Sequence, residues 1–227
     1  MQLFIEQLLN GLAAGSMYAL ITLGLALIYG VMKILHVAHA SVYTAGAYMG
    51  LFIYTSTGSI LLAFLGSMIF CAIIGVLIER LIYYPLLKYP PYVPLISSIA
   101  LLIAIEELCR LVAGPEVRTF SAELPFPSLS MWGVTISSTL VAVYCISFTV
   151  LLLLWLLMTK TELGLAMRAV SQDMETASSF GVNTQVTIAL TFVIGSAIAA
   201  VAGILVGIYY NQVYPMMGQV PAYKTLA

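Results

Sequence analysis

Ionisable side chains next to apolar stretches are the first candidates for chemistry in this sequence. Glu106 and Glu107 end an apolar run that begins near residue 89, and Arg110 follows one helical turn later. A charge inside hydrocarbon is costly, so such residues are candidates for the path of a solute. At these spacings both acids can pair with Arg110 along one helix face. The alternative is that the acids lie at the membrane surface and stay hydrated.

Two histidines and one asparagine form a second set of polar candidates. His36 and His39 are one turn apart and are expected at the cytoplasmic end of the first span, but a metal site needs more than two ligands and no nearby Cys or acid completes a set. We therefore predict no metal site and expect the histidines to form hydrogen bonds in packing or to line a path. His39 and Asn10 are candidate path residues. A hydrogen bond between helices explains Asn10 equally well.

The most polar long stretch is KTELGLAMRAVSQDMETASSFGVN, residues 160–183. Its apolar residues recur at spacings of three and four, which predicts an amphipathic helix. Gly181 and Asn183 are expected to stop this helix. The residues of the apolar stripe are Leu163, Ala166, Met167, Val170, Met174 and Ala177, and the opposite side carries Thr161, Arg168, Gln172, Glu175 and Ser179.

Two locations are open for this amphipathic segment. A helix that lies in lipid headgroups is rich in Lys and Arg, whereas after Lys160 this segment has Arg168 against Glu162, Asp173 and Glu175, which sum to a charge of −2. A mixed-charge helix with an apolar stripe fits a groove on a partner protein better. Arg168 is then expected to contact the partner, although a solvated arginine is the alternative. Acids near helix starts favour the helix dipole, which alone could explain Glu162 and Asp173.

The composition places the chain in a membrane. Only 7% of the 227 residues are charged and 62% are hydrophobic, whereas soluble domains carry about 25% charged residues. The net charge of −1 and the lack of a basic run give no indication of nucleic-acid binding. Residues 1–32 contain no Lys or Arg, so we expect no cleaved signal peptide at the N-terminus.

Long apolar runs predict an all-α, multi-pass bundle of about six membrane-spanning helices. A span needs about 20 mostly apolar residues, and only helices or closed barrels satisfy their backbone in lipid. The runs are too uniformly apolar for the alternation of a barrel strand. The expected spans are residues 7–32, two within 34–78 separated by 55–59, one that starts at 89–105 and continues to 114, one near 135–158 and one near 186–210.

The connections between these spans predict an orientation. Segments 31–41, 80–92 and 159–184 contain Lys33, Arg80, Lys88, Lys160 and Arg168, whereas segments 55–59 and 110–133 contain Arg110 and Arg118. The more basic set is expected in the cytoplasm. Small residues at GxxxG spacing, which are Gly11 with Gly15, Gly46 with Gly50 and Gly203 with Gly207, favour close helix packing.

Several of these stretches together resemble a known family. The segment ELGLAMRAVSQDMETASSFGVN resembles the cytoplasmic EAA-type coupling loop of ATP-binding-cassette importer permeases, most closely that of the high-affinity branched-chain amino-acid permease family (LivH type). The matching positions are Gly164, Ala166, Arg168, Ala169, Asp173, Ala177, Gly181, Val182 and Asn183. The segments LLNGLAAGSMYALITLGLALIYGVMKI (8–34), AGAYMG (45–50) and ERLIYYPL (79–86) resemble the same family.

The resemblance implies one transmembrane permease domain over residues 1–227 and no enzymatic activity. Residues 160–183 would be its coupling loop, with Glu162, Gly164, Arg168, Asp173 and Gly181 contacting cytoplasmic ATPase subunits. The expected further partners are a homologous permease in a heterodimer, an extracytoplasmic solute-binding protein and lipid. The cargo is expected to be a branched-chain or other small amino acid, an amide or urea, and the location the bacterial cytoplasmic (inner) membrane.

The resemblance also has limits within the sequence. The chain has no G-x-x-x-x-G-K-[ST] phosphate loop, so we expect no cofactor in it and ATP to be bound by the partner subunits. It reads AHAS at 38–41, where the family usually has A-H-G and an acid. Family members usually continue for further spans beyond the point that matches Ala227. We therefore expect either a truncated sequence or a short subunit that lacks C-terminal spans.

Two other functional classes, a membrane-embedded enzyme and a secondary transporter, are alternatives to a permease. A membrane-embedded enzyme would need His36 or His39 near Glu106 or Glu107, but the predicted topology puts them at opposite membrane faces. An ATP-independent secondary transporter often shows inverted repeats and broken helices. The two halves of this chain show no convincing repeat, so this class is kept only as the alternative.

Overall fold

A computed structural model describes residues 2–131 and 134–221, and the all-α class is confirmed for them. A short hairpin of two antiparallel strands, β1 (Leu129–Met131) and β2 (Val134–Ile136), lies beside the helices. The helices are α1 (Gln2–Met32), α2 (His39–Thr57), α3 (Ile60–Ile78), a π-helical turn (Glu79–Tyr83) that continues into α4 (Tyr84–Leu86), α5 (Tyr92–Ala113), α6 (Ser138–Lys160), α7 (Glu162–Gln172), α8 (Met174–Ser179) and α9 (Thr184–Tyr209).

Four helical segments of the described chain are long and apolar enough to cross a membrane, compared with the six spans predicted. They are Gln2–Met32, Ile60–Leu86, Ser138–Lys160 and Thr184–Tyr209. The other two long helices are more polar: α2 is rich in Gly, Ser, Thr and Tyr, and α5 carries Glu106, Glu107 and Arg110 in its second half.

Helix α9 forms the centre of the bundle because it packs against α1, α2 and α3. It runs antiparallel to α1: the Tyr209 hydroxyl lies 3.3 Å from Asn10 Oδ1 near one end of the pair. Farther along, a Cβ on Gly24 would lie 2.9 Å from the carbonyl oxygen of Gly195. Most of the α9 surface is therefore buried by other helices.

Two of the three predicted GxxxG pairs are close to other helices in the described chain. A Cβ on Gly46 would lie 2.7 Å from Ala200 Cα, and one on Gly203 would lie 2.3 Å from the Tyr43 carbonyl oxygen. Glycine there lets the backbones of α2 and α9 touch. A Cβ on Gly11 or Gly15 would meet nothing within 4 Å, so this pair packs against no other described helix.

The connections group at two opposite ends of the bundle, as the alternation of spans predicted. At one end, the Gln185 amide nitrogen of α9 donates to the Tyr84 hydroxyl of α4. At the other end, the Glu123 backbone N–H donates to the Tyr54 hydroxyl at 3.0 Å. Which end faces the cytoplasm stays a prediction.

The link between α1 and α2 differs from the prediction. Residues 33–38 turn back between the helices, and Lys33 takes a positive φ of 57° at the reversal. The His39 ring consequently lies beside Gly24, with Nε2 2.8 Å from the position of an added Cβ. Gly24 is eight residues before the end of α1, or about 12 Å along the helix axis. The prediction that His39 lies at the end of the first span is therefore wrong.

Candidate functional site

The residues predicted to contact an ATPase lie on α7, on α8 and in the turns that flank them. Thr161 caps the N-terminus of α7, because its hydroxyl accepts a hydrogen bond from the Gly164 N–H at 3.1 Å. Met167, Val170 and Ala177 of the predicted stripe are buried. Helix α7 contacts α1, α6 and α9, and α8 contacts α9, so the apolar stripe is covered by the bundle itself.

Residues 160–183 form two helices, which corrects the prediction of one continuous helix. The backbone is extended at Asp173, and its carboxylate caps α8 by accepting from the N–H groups of Glu175 at 2.9 Å and Thr176 at 3.1 Å. The Thr176 hydroxyl also donates to Asp173 at 2.7 Å. The Thr176 side chain first, and then these N–H groups, hold the pKa of Asp173 below its usual value.

Gly164 lies where α7 touches the end of α6. A Cβ on this residue would lie 2.3 Å from the Leu157 carbonyl oxygen and 2.6 Å from Met158 Cα. Any larger side chain must therefore push α7 away from α6. Glu162, also predicted for this site, is the first residue of α7 and is exposed, in the position that the helix dipole favours for an acid.

Gly181 ends α8 as predicted. Its φ is +88°, and the hydrogen bonds from Gly181 N to Ser178 O and from Val182 N to Ala177 O form a Schellman cap. The interpretation of Asn183 as a stop signal is wrong. Its side chain accepts from the Val186 N–H at 3.1 Å and thereby starts α9, because Asn is a good N-cap.

The outer face of this segment combines one cation with two apolar side chains. Arg168 is exposed and makes no ion pair among the described residues. Leu165, one turn earlier, is 61% exposed and Phe180 is 86% exposed. The sequence reasoning missed both. For Leu165 a signal existed, since it is a leucine outside the apolar stripe on an otherwise polar helix.

The four predicted path residues lie on three different helices: Asn10 is on α1, His39 begins α2, and Glu106 and Glu107 are neighbours on α5. Asn10 pairs with Tyr209, as the packing alternative predicted. Glu107 is half-exposed and pairs with Arg110 at 2.8 Å. Glu106 is only 4% exposed and points elsewhere, since its Oε2 accepts from Gln219 Nε2 at 2.9 Å. The prediction that both acids share Arg110 is thus correct for Glu107 and wrong for Glu106.

His36 and His39 belong to a buried polar cluster that also includes Tyr83 and Ser98. His36 Nδ1 lies 2.7 Å from the Tyr83 hydroxyl, and the His36 and His39 ring centroids are 5.7 Å apart. Ser98 Oγ accepts from the Ala38 N–H at 3.0 Å, which satisfies one free donor at the start of α2. No group of three or more His, Cys, Asp or Glu residues in the described part of the chain could hold a metal ion.

Comparison with known proteins gives a consistent result over nearly the whole chain. Residues 7–227 match the family described as "Branched-chain amino acid transport system / permease component". The chain is 35% identical to the high-affinity branched-chain amino acid transport system permease protein BraD of Pseudomonas aeruginosa, over 95% of this chain and 74% of the relative. It is 33% identical to the corresponding permease protein LivH of Escherichia coli K12, with the same coverage.

A more distant relative is named after a different substrate. The chain is 31% identical to the galactofuranose transporter permease protein YtfT of Escherichia coli K12, over 86% of this chain and 52% of that protein. No solved structure matches the chain significantly.

Proposed function

Because the chain belongs to the permease-component family of branched-chain amino acid transport systems, which are transport proteins and not enzymes, we propose that it acts as one subunit of such a transport system. It is the integral-membrane permease subunit of an ATP-binding-cassette importer for branched-chain or related small amino acids. It forms the translocation path, and separate ATPase subunits supply the energy. The proposal rests on the family together with the construction of the α7–α8 segment.

In this proposal the chain is one permease domain that crosses the bacterial cytoplasmic membrane six times. The four apolar segments are joined by α2 and α5, which place polar side chains inside the bundle: Ser41 and Thr44 of α2 are buried, and Glu106 of α5 accepts a hydrogen bond from Gln219. Polar groups that are paired inside a bundle are tolerated in membranes. The end that carries α7 and α8 faces the cytoplasm, since its connections hold more Lys and Arg.

The single observation that carries the coupling role is the two-sided construction of the α7–α8 segment. Its inner face is fixed to the bundle through Gly164, Met167 and Val170, which are buried. Its outer face presents Leu165, Arg168 and Phe180 to a partner. A segment fixed on one side and exposed on the other can transmit a partner's movement to the helices on which it lies. Apolar anchors and an arginine are also typical of strong protein–protein contacts.

The remaining partners follow from the same proposal. Cytoplasmic ATPase subunits bind ATP and dock on α7 and α8, with Glu162, Gly164, Arg168, Asp173 and Gly181 shaping this contact. A homologous permease completes the path as the second half of a heterodimer. A solute-binding protein delivers the amino acid at the opposite end of the bundle, and lipid covers the exposed apolar faces.

The docking of the ATPase can be tested with Arg168→Glu in the reconstituted importer. Charge reversal on the outer face should lower both the co-purification of the ATPase and ATP-dependent leucine uptake into proteoliposomes by roughly ten-fold or more, since a buried charge contact is worth a few kcal/mol. Lys88→Glu, an equal charge reversal at an exposed position outside residues 160–183, is the matched control and should change both only slightly. Equal ATPase binding and uptake in both variants would contradict docking here.

A further inference from the structure

A cavity of about 180 Å³ lies between α1, α2, α9 and residues 212–221. Val206 of its wall is 22 residues after Thr184, so the helical rise places it about 33 Å from the end of the bundle that carries α7 and α8. The cavity is therefore near the opposite end of the helices. A cavity of about 150 Å³ can bind a molecule as large as benzene, so this one has room for a small solute.

The wall of the cavity has an apolar part and a polar part. Its apolar part includes Ala14, Met17, Val206 and Met217, and its polar part consists of Tyr18, Tyr43, Tyr210, Tyr214 and Gln212. No Asp, Glu, Lys, Arg or His is among the described residues that line it. A ligand with a charged side chain would find no counter-charge there, and burying an unpaired charge is costly, whereas the carboxylate and ammonium of a zwitterion sum to zero charge.

Tyr43 is the polar side chain in this wall whose hydroxyl is available for a hydrogen bond to a ligand. It is fully buried, and its hydroxyl has no hydrogen-bond partner in the described structure. A buried tyrosine hydroxyl usually has such a partner. The position of Tyr43 is fixed from behind, because its carbonyl oxygen touches Gly203 of α9. An immobile donor without a partner among the described residues, in the wall of a cavity, is suited to binding a small solute.

We propose that this tyrosine-lined cavity is a binding subsite for a small zwitterionic amino acid with an aliphatic side chain. The side chain packs on Met17, Val206 and Met217, and the carboxylate accepts a hydrogen bond from Tyr43. The faces of the tyrosine rings can attract the ammonium group. A hexose fits poorly, because it has no aliphatic side chain to pack on the apolar part of the wall. This assignment rests on the proposed function, since it locates the solute within the permease.

The test uses the complete importer in proteoliposomes and photo-leucine, the diazirine analogue of leucine, as the probe. Illumination should label peptides that contain Met17, Tyr43 or Met217, and excess leucine should suppress the labelling. Excess lysine or galactose should not suppress it. Tyr43→Phe should weaken the labelling roughly ten- to a hundred-fold, because a hydrogen bond to a charged group is lost.

Two matched controls separate a ligand contact from a general defect. Tyr48→Phe removes another hydroxyl of α2 that has no hydrogen-bond partner among the described residues but lies outside the cavity wall, and this variant should be labelled like the wild type. Ala14→Leu fills the cavity and should also abolish labelling, whereas Ala19→Leu on the same helix should not. The comparison of Ala14→Leu with Ala19→Leu still tests the subsite if Tyr43→Phe fails to fold.

The outcomes distinguish the subsite from the proposed function. The subsite is wrong, although the proposed function holds, if the wild-type importer carries leucine with ATP but photo-leucine labels other peptides. The same conclusion follows if Tyr43→Phe and Ala14→Leu are labelled like their control variants. If the wild type carries no amino acid at all, the proposed function itself fails and the subsite falls with it.

Discussion

His36 Nδ1 lies 2.7 Å from the hydroxyl of Tyr83, and both side chains are fully buried. The bond joins the 33–38 link to the π-helical turn after α3, two irregular segments that are 47 residues apart in the sequence. π-Helical turns inside helices are rare and often occur at functional sites. This hydrogen bond holds the link, and with it the start of α2, inside the bundle.

Removal of the Tyr83 hydroxyl should therefore destabilise the bundle. Tyr83→Phe leaves His36 Nδ1 buried without a partner, which costs about 1–3 kcal/mol. The free energy of unfolding in detergent, measured by chemical denaturation, reports this cost. Tyr92→Phe, the same substitution at an exposed tyrosine that begins α5, is the control and should change the unfolding free energy by less than about 0.5 kcal/mol. Equal effects of the two variants would show that the buried bond does not stabilise the fold.

Gly203→Ala should weaken the contact between α2 and α9. The new methyl group would lie 2.3 Å from the Tyr43 carbonyl oxygen, which is backbone and cannot move independently. Such overpacking costs about 1–3 kcal/mol of unfolding free energy. Gly15→Ala on α1 places its methyl in open space and should be neutral or stabilise the helix by up to about 1 kcal/mol. A stable Gly203→Ala protein would contradict the close approach of these two helices.

Gly164→Val should separate coupling from membrane insertion. The side chain must displace α7 from Leu157 and Met158, so the outer face of α7 moves away from the position in which it docks on the ATPase. We expect ATPase co-purification and uptake to fall at least roughly ten-fold, which corresponds to about 1.4 kcal/mol of docking free energy. The amount of protein in the membrane should not change. Gly30→Val is the matched control, because a Cβ on Gly30 would meet no described atom within 4 Å beyond its own stretch of α1, and equal losses in both variants would argue against this role.

Asp173 should make the start of α8 dependent on pH. Its pKa is held below the usual value by the Thr176 side chain and the N–H groups of Thr176 and Glu175. A lowered folded-state pKa stabilises the fold above the unfolded-state pKa, near 4, and this contribution is lost as the pH falls through the folded-state pKa. Amide hydrogen exchange at Glu175 and Thr176, corrected for its intrinsic pH dependence, should therefore lose protection below about pH 4.

Two substitutions at Asp173 check the origin of that dependence. Asp173→Asn keeps a capping oxygen without a titrating proton, so its protection should be independent of pH. Asp173→Ala should lose protection at every pH. If the wild type and Asp173→Asn showed the same pH profile, another group would control the start of α8.

Much of the α7–α8 segment could be predicted from the sequence because its determinants are local. The spacing of Met167, Val170 and Ala177 set the buried face, and Gly181 set the end of α8 through its positive φ. The break at Asp173 was missed because a capping acid and a mid-helix acid differ only in the extended backbone of one residue. Leu165 and Phe180 were missed because apolar side chains were assumed to face inwards.

By itself, the sequence determined the membrane class, the helical content, the family and the order of the connections at the two ends, because each follows from composition, local periodicity or local motifs. Only the tertiary structure decided that His39 lies beside Gly24, that Glu106 binds Gln219 instead of Arg110, and that Tyr43 lines a cavity. These relationships depend on which helix faces lie against each other. Lipid-exposed and buried faces are both apolar, so hydrophobic patterning in a membrane helix does not reveal its neighbours.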